Sequence, residues 1–210
     1  MKAIIFDLDG VICHTDEYHF QAWKAMADSM GIPFDREINN RLRGVSRMAS
    51  LEIILERYHG ELSPAEKEAL ATQKNELYKE SLKNMSPADL SDEVRTTLDT
   101  LRLRGYKLAI GSSSKNAPFI LQQLGLGSFF DAISDGNIIT HSKPDPEVFV
   151  KAAQMLCIQP EECLVVEDAV SGAIAGKRGG MQVACVGDAS AEKAGDWNLA
   201  SFAELLEIAR

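Results

Sequence analysis

Paired cysteines, long apolar segments and an excess of positive charge are all absent from this sequence of 210 residues. The four cysteines, at positions 13, 157, 163 and 185, form no C-x-x-C pair, which predicts separate thiols in a reducing compartment. No stretch combines the length and the lack of charge needed to span a membrane, and the opening apolar run is too short for a signal peptide. We therefore expect a cytoplasmic protein.

The charge balance of the chain also limits its partners. With 22 Lys and Arg against 31 Asp and Glu, the formal net charge is −9. Such a charge disfavours nucleic acid and anionic membranes as partners. Small phosphorylated molecules remain compatible with it, because lysine, arginine and backbone N–H groups in one cleft can reverse the local field. Nothing in the sequence demands an oligomer, so we expect a monomer.

Short apolar runs alternate with helical patterns over most of the chain. The runs at residues 2–8, 106–110, 163–166 and 182–186 are typical of strands that are buried on both faces. Helical spacing follows these runs, and the pair Asp145–Pro146 predicts a helix start with the aspartate as N-cap. We predict an α/β fold with a Rossmann-like parallel sheet as its core and helices on both faces.

The segment between the first two predicted strands breaks this alternation. It contains no convincing strand. Helical periodicity covers the stretches 18–30, 47–58 and 64–82 instead. We predict an α-helical cap domain at residues 15–83, inserted into a core domain formed by residues 1–14 and 84–210. The pair Ser86–Pro87 is expected to be the return hinge.

The first predicted strand ends in Asp7-Leu8-Asp9-Gly10. Residues two apart in an extended chain point the same way, and a turn at Gly10 can bring the two carboxylates together. Open parallel sheets bind ligands at the carboxyl ends of their strands, and a hard divalent cation such as Mg²⁺ relieves repulsion between carboxylates. A lone D-x-D at a strand end is more often a capped turn, so a metal site needs further support.

Three later positions in the sequence supply that support. Ser112 follows the second predicted strand, where a hydroxyl and backbone N–H groups suit a phosphoryl group. Lys143 precedes a predicted helix and can neutralise charge that develops in phosphoryl transfer. Glu167 and Asp168 close the third predicted strand and can complete a metal site. Their shared position at strand ends of one sheet favours phosphoryl transfer, with Asp7 as the nucleophile.

The chain resembles the haloacid dehalogenase superfamily of phosphotransferases, and its inserted helices match the helical-cap subgroup. The resemblance rests on the ordered set Asp7-x-Asp9, Ser112, Lys143 and Glu167-Asp168. It implies that Asp7 is the nucleophile and a metal ligand. Asp9 would be the general acid and base, and its backbone carbonyl would bind the metal. Asp168 would be a direct metal ligand, with Glu167 in or next to the metal shell, while the serine and lysine would hold the transferring phosphoryl group.

Motifs in the inserted segment narrow this resemblance. H-F-Q-A-W at 19–23 and L-R-G-V-S-R at 42–47 are similar to motifs of superfamily members that interconvert β-D-glucose 1-phosphate and glucose 6-phosphate. This similarity implies Mg²⁺ as cofactor, β-glucose 1,6-bisphosphate as intermediate and activator, and small sugar phosphates as substrates. Arg47 and Ser46 would bind the distal phosphate. The other implied substrate-binding residues are Thr15, His19, Trp23, Gly44, Val45, Ser50, Lys74, Ser114 and Asn116.

Two alternatives to a mutase remain open. A sugar-phosphate phosphatase of the same superfamily would use Asp9 to activate water. A non-catalytic receiver-type domain would also carry a strand-end aspartate, but it would lack the helical insertion. A mutase needs two phosphate sites because its bisphosphate must turn end for end, and Arg47 offers the second one. Without the resemblance, Arg47 and Lys74 would be interpreted as surface residues, and His19 and Trp23 as bundle core.

Some residues are assigned no function or depart from the family pattern. His14, His59 and His141 lack metal-ligand spacing, and we expect them in surface or turn positions. Ser113 stands where the pattern leads us to expect alanine. The segment 186–190 replaces the expected Gly-x-Gly ending after the last strand, which leaves the C-terminal edge of the sheet undefined.

Overall fold

Parallel strands form one sheet in the computed structural model, which describes residues 1–42 and 45–209. Arg43, Gly44 and Arg210 lie outside the described residues. Within the described ranges the sheet has six strands in the spatial order β3-β2-β1-β4-β5-β6, and each neighbouring pair is parallel. They are β1 (Ala3–Phe6), β2 (Lys107–Gly111), β3 (Ala132–Ser134), β4 (Cys163–Glu167), β5 (Gln182–Cys185) and β6 (Trp197–Asn198).

Strand β1 lies between β2 and β4 and is apolar on both faces. All of its residues are buried. Alternate side chains point to opposite faces of a sheet, so Ile4 and Phe6 join one apolar cluster while Ala3 and Ile5 join another. This burial on both faces confirms the predicted Rossmann-like sheet.

Helices cover both faces of this sheet. The helices are α1 (Asp16–Ser29), α2 (Arg36–Asn40), α3 (Arg47–Leu55), α4 (Pro64–Leu82), α5 (Asp92–Leu103), α6 (Ala117–Gln123), α7 (Glu147–Met155), α8 (Val170–Arg178), α9 (Gly187–Ala191) and α10 (Leu205–Ile208). The apolar sides of α5, α6 and α10 pack in the cluster that contains Phe6. Those of α7, α8 and α9 pack in the cluster that contains Ile5. No helix of the described residues is both long enough and apolar enough to cross a membrane.

The inserted helices α1 to α4 have an apolar core of their own. Trp23 and Met26 of α1 pack with Ile54 of α3 and Ala71 of α4. Helix α4 begins with a capping box, in which the side chains of Ser63 and Glu66 accept each other's backbone N–H groups, and a proline occupies the first helical turn. A separate core of this kind agrees with an inserted cap, although the limits chosen for the two domains stay a prediction.

The structure differs from the sequence predictions at the weakest patterns. Strands β3 and β6 were not predicted, because runs of three and two residues carry too little alternation to be recognised. Strand β6 pairs with β5 and completes the edge that the sequence left undefined. The expected N-cap role of Asp145 is wrong by one residue, since Pro146 occupies the cap position of α7. The Asp145 carboxylate still accepts the Glu147 N–H at 2.9 Å.

Candidate active site

A cleft of about 420 Å³ separates the carboxyl ends of the central strands from the inserted helices. Because β2, β1 and β4 are parallel neighbours, the residues after each strand meet at the same edge. Asp7 follows β1, Ser112 follows β2 and Asp168 follows β4, and all three line the cleft. The topology therefore brings Ser112 and Asp168 to the same edge as Asp7, although each follows Asp7 by more than one hundred residues in the sequence.

Buried carboxylates form the floor of the cleft. Asp7, Glu167 and Asp168 each offer one oxygen to a group whose members lie within 4.8 Å of one another. The Lys143 ammonium donates to Asp7 and, at 2.6 Å, to Glu167. Burial raises the pKa of Asp7 well above its ordinary value, the Lys143 charge opposes that rise, and Glu167 adds to it. Burial lowers the pKa of Lys143, but the charges of Asp7 and Glu167 outweigh burial and leave that pKa raised.

This carboxylate group fits a hard divalent cation. Three buried carboxylates lie together, two of them paired with the Lys143 ammonium, and Mg²⁺ favours a small number of carboxylate oxygens together with phosphate oxygens. Gly10 leaves the necessary space: its φ is +86°, and a Cβ atom there would collide with the Asp168 carboxylate. A Cβ atom at Gly172 would likewise collide with the Glu167 carboxylate. We would assign Asp7, Glu167 and Asp168 to such an ion, and this assignment stays a prediction.

The carboxylate of Asp9 lies outside the group formed by the other three acids. It accepts a hydrogen bond from the Thr15 hydroxyl, at the start of α1. Burial raises the pKa of Asp9, and the hydrogen bond from Thr15 opposes the rise. Asp9 lines the cleft, whereas Thr15 is fully buried behind it. The arrangement agrees with a side chain that is reserved for proton transfer, although the role of Asp9 and the binding of metal by its backbone carbonyl remain predictions.

The loop after β2 is held by its own serines. The Ser112 hydroxyl accepts the Ser114 N–H at 3.1 Å, and the Ser114 hydroxyl accepts the Asn116 N–H at 3.2 Å. Gly136 braces the loop by donating its N–H to the Ser114 carbonyl at 3.2 Å. The Ser113 hydroxyl is buried and has no hydrogen-bond partner among the described residues. The serine in place of the expected alanine therefore adds an unsatisfied polar group to this wall.

A lysine surrounded by aromatic rings forms the opposite wall. Lys74 of α4 is 3% exposed, and its ammonium lies 2.9 Å from Nδ1 of His19. It also lies 4.7 Å from the ring centre of Trp23 and 4.5 Å from that of Tyr78. Burial, assisted by the charge of Arg47, lowers the pKa of Lys74 to about 7. Burial and the Lys74 charge lower the pKa of His19 well below its ordinary value, so Nδ1 of a neutral His19 can accept a hydrogen bond from the Lys74 ammonium.

Helix α3 adds a second cation to this cap wall. Ser46 is its N-cap and accepts the Ala49 N–H at 3.2 Å. Arg47 begins the helix and is partly buried, and burial lowers its pKa from the ordinary value. In the part of the chain that the structure describes, no carboxylate lies within salt-bridge distance of Arg47. Its guanidinium is thus available to an anion in the cleft.

Nearly all of the residues predicted from the sequence meet in this cleft. Thr15 lies behind it, and Gly44 falls outside the described residues. Lining the cleft are Asp7, Asp9, His19, Trp23, Val45, Ser46, Arg47, Ser50, Lys74, Ser112, Ser114, Asn116, Lys143, Glu167 and Asp168. This proximity does not test the individual roles, which stay predictions.

Sequence reasoning missed several cleft residues. Tyr78 lies one helical turn after Lys74, so its α4 spacing could have indicated it. Asn75 bonds Asn116 across the cleft at 3.0 Å, and this pair is separated by 41 positions, which no local pattern reveals. Asn39, on α2, also lines the cleft, and no pattern in the sequence indicated it as a site residue.

One histidine lies in an environment that its spacing did not predict. His141 lies with Asp145 and Glu147 in a group that could hold a metal ion. Glu147 already accepts the Thr140 and His141 N–H groups and pairs with Lys151 at 2.6 Å. These contacts explain the group as the cap of α7, so the expected surface role of His141 is retained.

Comparison with known proteins points to one family. The profile of the haloacid dehalogenase-like hydrolases matches residues 1–180. The β-phosphoglucomutase of Bacillus subtilis strain 168 is 44% identical over 189 residues, covering 89% of this chain and 84% of that protein. The fructose-1-phosphate phosphatase of Escherichia coli K12 is 32% identical over 180 residues, covering 85% of this chain and 93% of that protein.

A solved structure of a related protein agrees with these sequence similarities. The crystal structure of β-phosphoglucomutase from Clostridium difficile matches this chain with a TM-score of 0.92 at 33% identity. The match covers 100% of this chain and 96% of the other. It therefore includes the inserted helices as well as the sheet.

Proposed function

This chain belongs to the haloacid dehalogenase-like hydrolase family, and we propose that it is a β-phosphoglucomutase that interconverts β-D-glucose 1-phosphate and glucose 6-phosphate. The family predicted from the strand-end residues is confirmed. The observation that carries the proposed activity is a single cleft with cations on two walls, Lys143 beside Asp7 and Arg47 on the cap. Similarity to the mutases of B. subtilis and C. difficile supports it.

The first half of the reaction transfers a phosphoryl group to the enzyme. An Asp7 oxygen attacks phosphorus, the bond from phosphorus to the sugar oxygen breaks, and the Asp9 carboxyl group gives that oxygen its proton. Lys143 and the Ser112 hydroxyl hold the phosphoryl oxygens. The product of this step is an aspartyl phosphate and a sugar hydroxyl.

The cation and the general acid have separate tasks. When bound, Mg²⁺ supplies positive charge against the phosphoryl oxygens, and Asp7, Glu167 and Asp168 are the side chains that would hold it. Asp9 keeps its carboxylate out of that group, and burial raises its pKa. A carboxyl group with a raised pKa retains a proton more readily at neutral pH, which suits a general acid.

The second half of the reaction requires two phosphate sites. β-Glucose 1,6-bisphosphate is the intermediate: one phosphate transfers at Asp7 while Arg47 and Ser46 hold the other, and the molecule then turns end for end. Deprotonated Asp9 removes the proton from the incoming sugar hydroxyl as its oxygen attacks the aspartyl phosphate. The Asn75–Asn116 bond helps to close the cap against water, which would otherwise hydrolyse that intermediate.

A coupled assay tests the proposed activity. Purified enzyme receives β-glucose 1-phosphate, Mg²⁺ and a trace of the bisphosphate, and formation of glucose 6-phosphate is compared with release of free phosphate. We expect glucose 6-phosphate to form far faster. Free phosphate as the main product would overturn the mutase activity.

A substitution of Arg47 in the same assay tests the second phosphate site. Arg47→Ala should reduce glucose 6-phosphate formation by about 100-fold, because it removes a charge-assisted contact to the distal phosphate. Hydrolysis of p-nitrophenyl phosphate, which has one phosphate and no distal group, should change little. Arg57→Ala is the matched control, since Arg57 is an exposed cap arginine paired with Asp35 at 3.3 Å. Equal losses in both assays would exclude a distal-phosphate role.

A sugar-phosphate phosphatase is the second candidate function. Relatives with that activity support it, including the fructose-1-phosphate phosphatase of E. coli and a phosphorylated carbohydrates phosphatase of Thermotoga maritima that is 30% identical over 185 residues. In that case Asp9 would activate water against the aspartyl phosphate.

The proposed function, with either activity, includes a monomer that acts in the cytoplasm on small sugar phosphates, without nucleic acid or membranes as partners.

A further inference from the structure

Asn39 is a buried amide in the cap with no role in the reaction described above. It lies near the end of α2, is 8% exposed and lines the cleft. Its backbone is satisfied: the N–H donates to the Asp35 carbonyl at 3.1 Å, and the carbonyl accepts the Leu42 N–H at 3.0 Å. Its side chain has no hydrogen bond to any residue in the described ranges.

The other buried asparagines of the described chain behave differently. Asn75 and Asn116 are also buried, and they bond each other at 3.0 Å. An amide carries two donors and one acceptor oxygen. The amide atoms of Asn39 are not among the fully buried polar atoms that lack a partner, so the amide is open to the cleft that Asn39 lines. An amide that is open to the cleft and bonded to no described side chain is free to bind a polar ligand there.

The chemistry of this wall identifies the kind of partner. In the proposed mechanism Arg47 presents a cation to phosphate oxygens, which only accept hydrogen bonds. An amide differs from them because it can donate and accept at once, as a sugar hydroxyl also does. Leu42 and Val45 line the same cap wall with apolar side chains and leave few competing partners for a ring hydroxyl.

We propose that Asn39 is a specificity-determining residue whose amide hydrogen-bonds a ring hydroxyl of the bound sugar phosphate. The inference rests on the proposed function for its substrate class, sugar phosphates. It adds a recognition group to the cap that acts on the sugar ring rather than on either phosphate. Loss of this contact should affect turnover of the sugar phosphate and leave attack by Asp7 on a simple phosphate ester intact.

Deoxy analogues of the substrate test this contact directly. Wild-type enzyme and Asn39→Ala are assayed with β-glucose 1-phosphate and with its 2-deoxy, 3-deoxy and 4-deoxy analogues. The wild type should lose about tenfold in kcat/KM on the analogue that lacks the contacted hydroxyl. Asn39→Ala should lose a similar factor on the natural substrate and show no further loss on that same analogue.

Two further variants separate recognition from folding. Asn39→Leu has nearly the same volume and removes only the polar amide, so its Tm should stay close to that of the wild type while its discrimination is lost. Asn40→Ala changes the adjacent, exposed asparagine of α2, which does not line the cleft, and should retain wild-type discrimination. Hydrolysis of p-nitrophenyl phosphate by all variants reports on the intact core.

The outcomes distinguish this inference from the proposed function. If the wild type releases phosphate instead of forming glucose 6-phosphate, the mutase activity fails, and discrimination is measured on phosphate release with the same analogues. If Asn39→Ala and Asn39→Leu discriminate against every analogue as the wild type does, the inference is overturned. A wild type that shows no discrimination against any analogue would overturn it equally.

Discussion

The two walls of the cleft use buried charge in opposite ways. On the core wall, Asp7, Glu167 and Asp168 lie close together, and the first two share the Lys143 ammonium, so carboxylates predominate there. On the cap wall, Lys74 and Arg47 present positive charge without a paired carboxylate in the described structure. The core wall is suited to hold a cation beside the carboxylate that would attack phosphorus. The cap wall is suited to hold the sugar that gives up or receives the phosphoryl group.

This division of charge also explains how one fold serves mutases and phosphatases. In the proposed mechanism, the core wall is sufficient to form an aspartyl phosphate from any ester that fits. The cap wall would then decide whether a sugar hydroxyl or water receives the phosphoryl group, because it would bind the acceptor and exclude solvent. Substitutions on the core wall should therefore abolish all phosphoryl transfer, whereas substitutions on the cap wall should change the acceptor.

Asp7→Asn should have the largest effect, since it removes the proposed nucleophile from the core wall. We expect the mutase rate and the hydrolysis of p-nitrophenyl phosphate to fall together, each by on the order of 10⁴-fold. Intact-protein mass spectrometry should detect no phosphorylated form after incubation with substrate. The Tm should not fall, because the substitution relieves repulsion among buried carboxylates.

The control for this variant is a carboxylate far from the cleft. Asp99→Asn changes an exposed residue of α5 and should keep wild-type rates. A phosphorylated Asp7→Asn protein would show that another residue is the nucleophile.

Asn75→Ala should have a smaller effect, because it breaks only the bond that joins the two walls. The substitution leaves the buried Asn116 amide without its partner at 3.0 Å, and the cap should close less completely. We expect the ratio of free phosphate to glucose 6-phosphate to rise by about tenfold as water gains access. Both products are measured in one reaction, with the exposed Asn84→Ala as the matched control.

An unchanged product ratio in Asn75→Ala would contradict a role for this bond in excluding water. A parallel fall in both products would instead indicate damage to the phosphoryl site, since Asn116 lies in the loop that follows Ser112.

The core wall was easier to predict from sequence than the cap wall. Strand β1 and the acids after it form a continuous local pattern, and parallel topology alone brings Ser112 and Asp168 beside Asp7. Helix α4 was predicted at Pro64–Leu82, because its periodicity is also local. These features needed only rules about neighbouring residues and strand ends.

Burial on the cap wall depends on contacts that sequence spacing does not encode. As a lysine, Lys74 would be expected on the surface. Packing of α1 against α4 nevertheless leaves it 3% exposed beside His19 and Trp23. The Asn75–Asn116 bond joins residues 41 positions apart. Such pairs follow from how the cap meets the core, so no periodicity in the sequence could have revealed them.

Lys74→Met should have the smallest effect, a change in how stability depends on pH. Burial, with the charge of Arg47, lowers the pKa of Lys74 to about 7, whereas an unfolded lysine titrates near pH ~10.4. Between these values the unfolded chain binds more protons than the folded one, so Lys74 makes the free energy of unfolding rise with pH, by at most about 1.4 kcal/mol per pH unit. His19 titrates below this window because burial lowers its pKa.

Urea unfolding at several pH values above neutrality measures this dependence on the cap wall. The free energy of unfolding should rise more steeply with pH in the wild type than in Lys74→Met, since methionine retains the apolar stem and carries no proton. Lys79→Met, an exposed lysine of the same helix, should retain the wild-type slope. Equal slopes in all three proteins would mean that Lys74 stays charged in the folded state, and the lowered pKa of Lys74 would then be wrong.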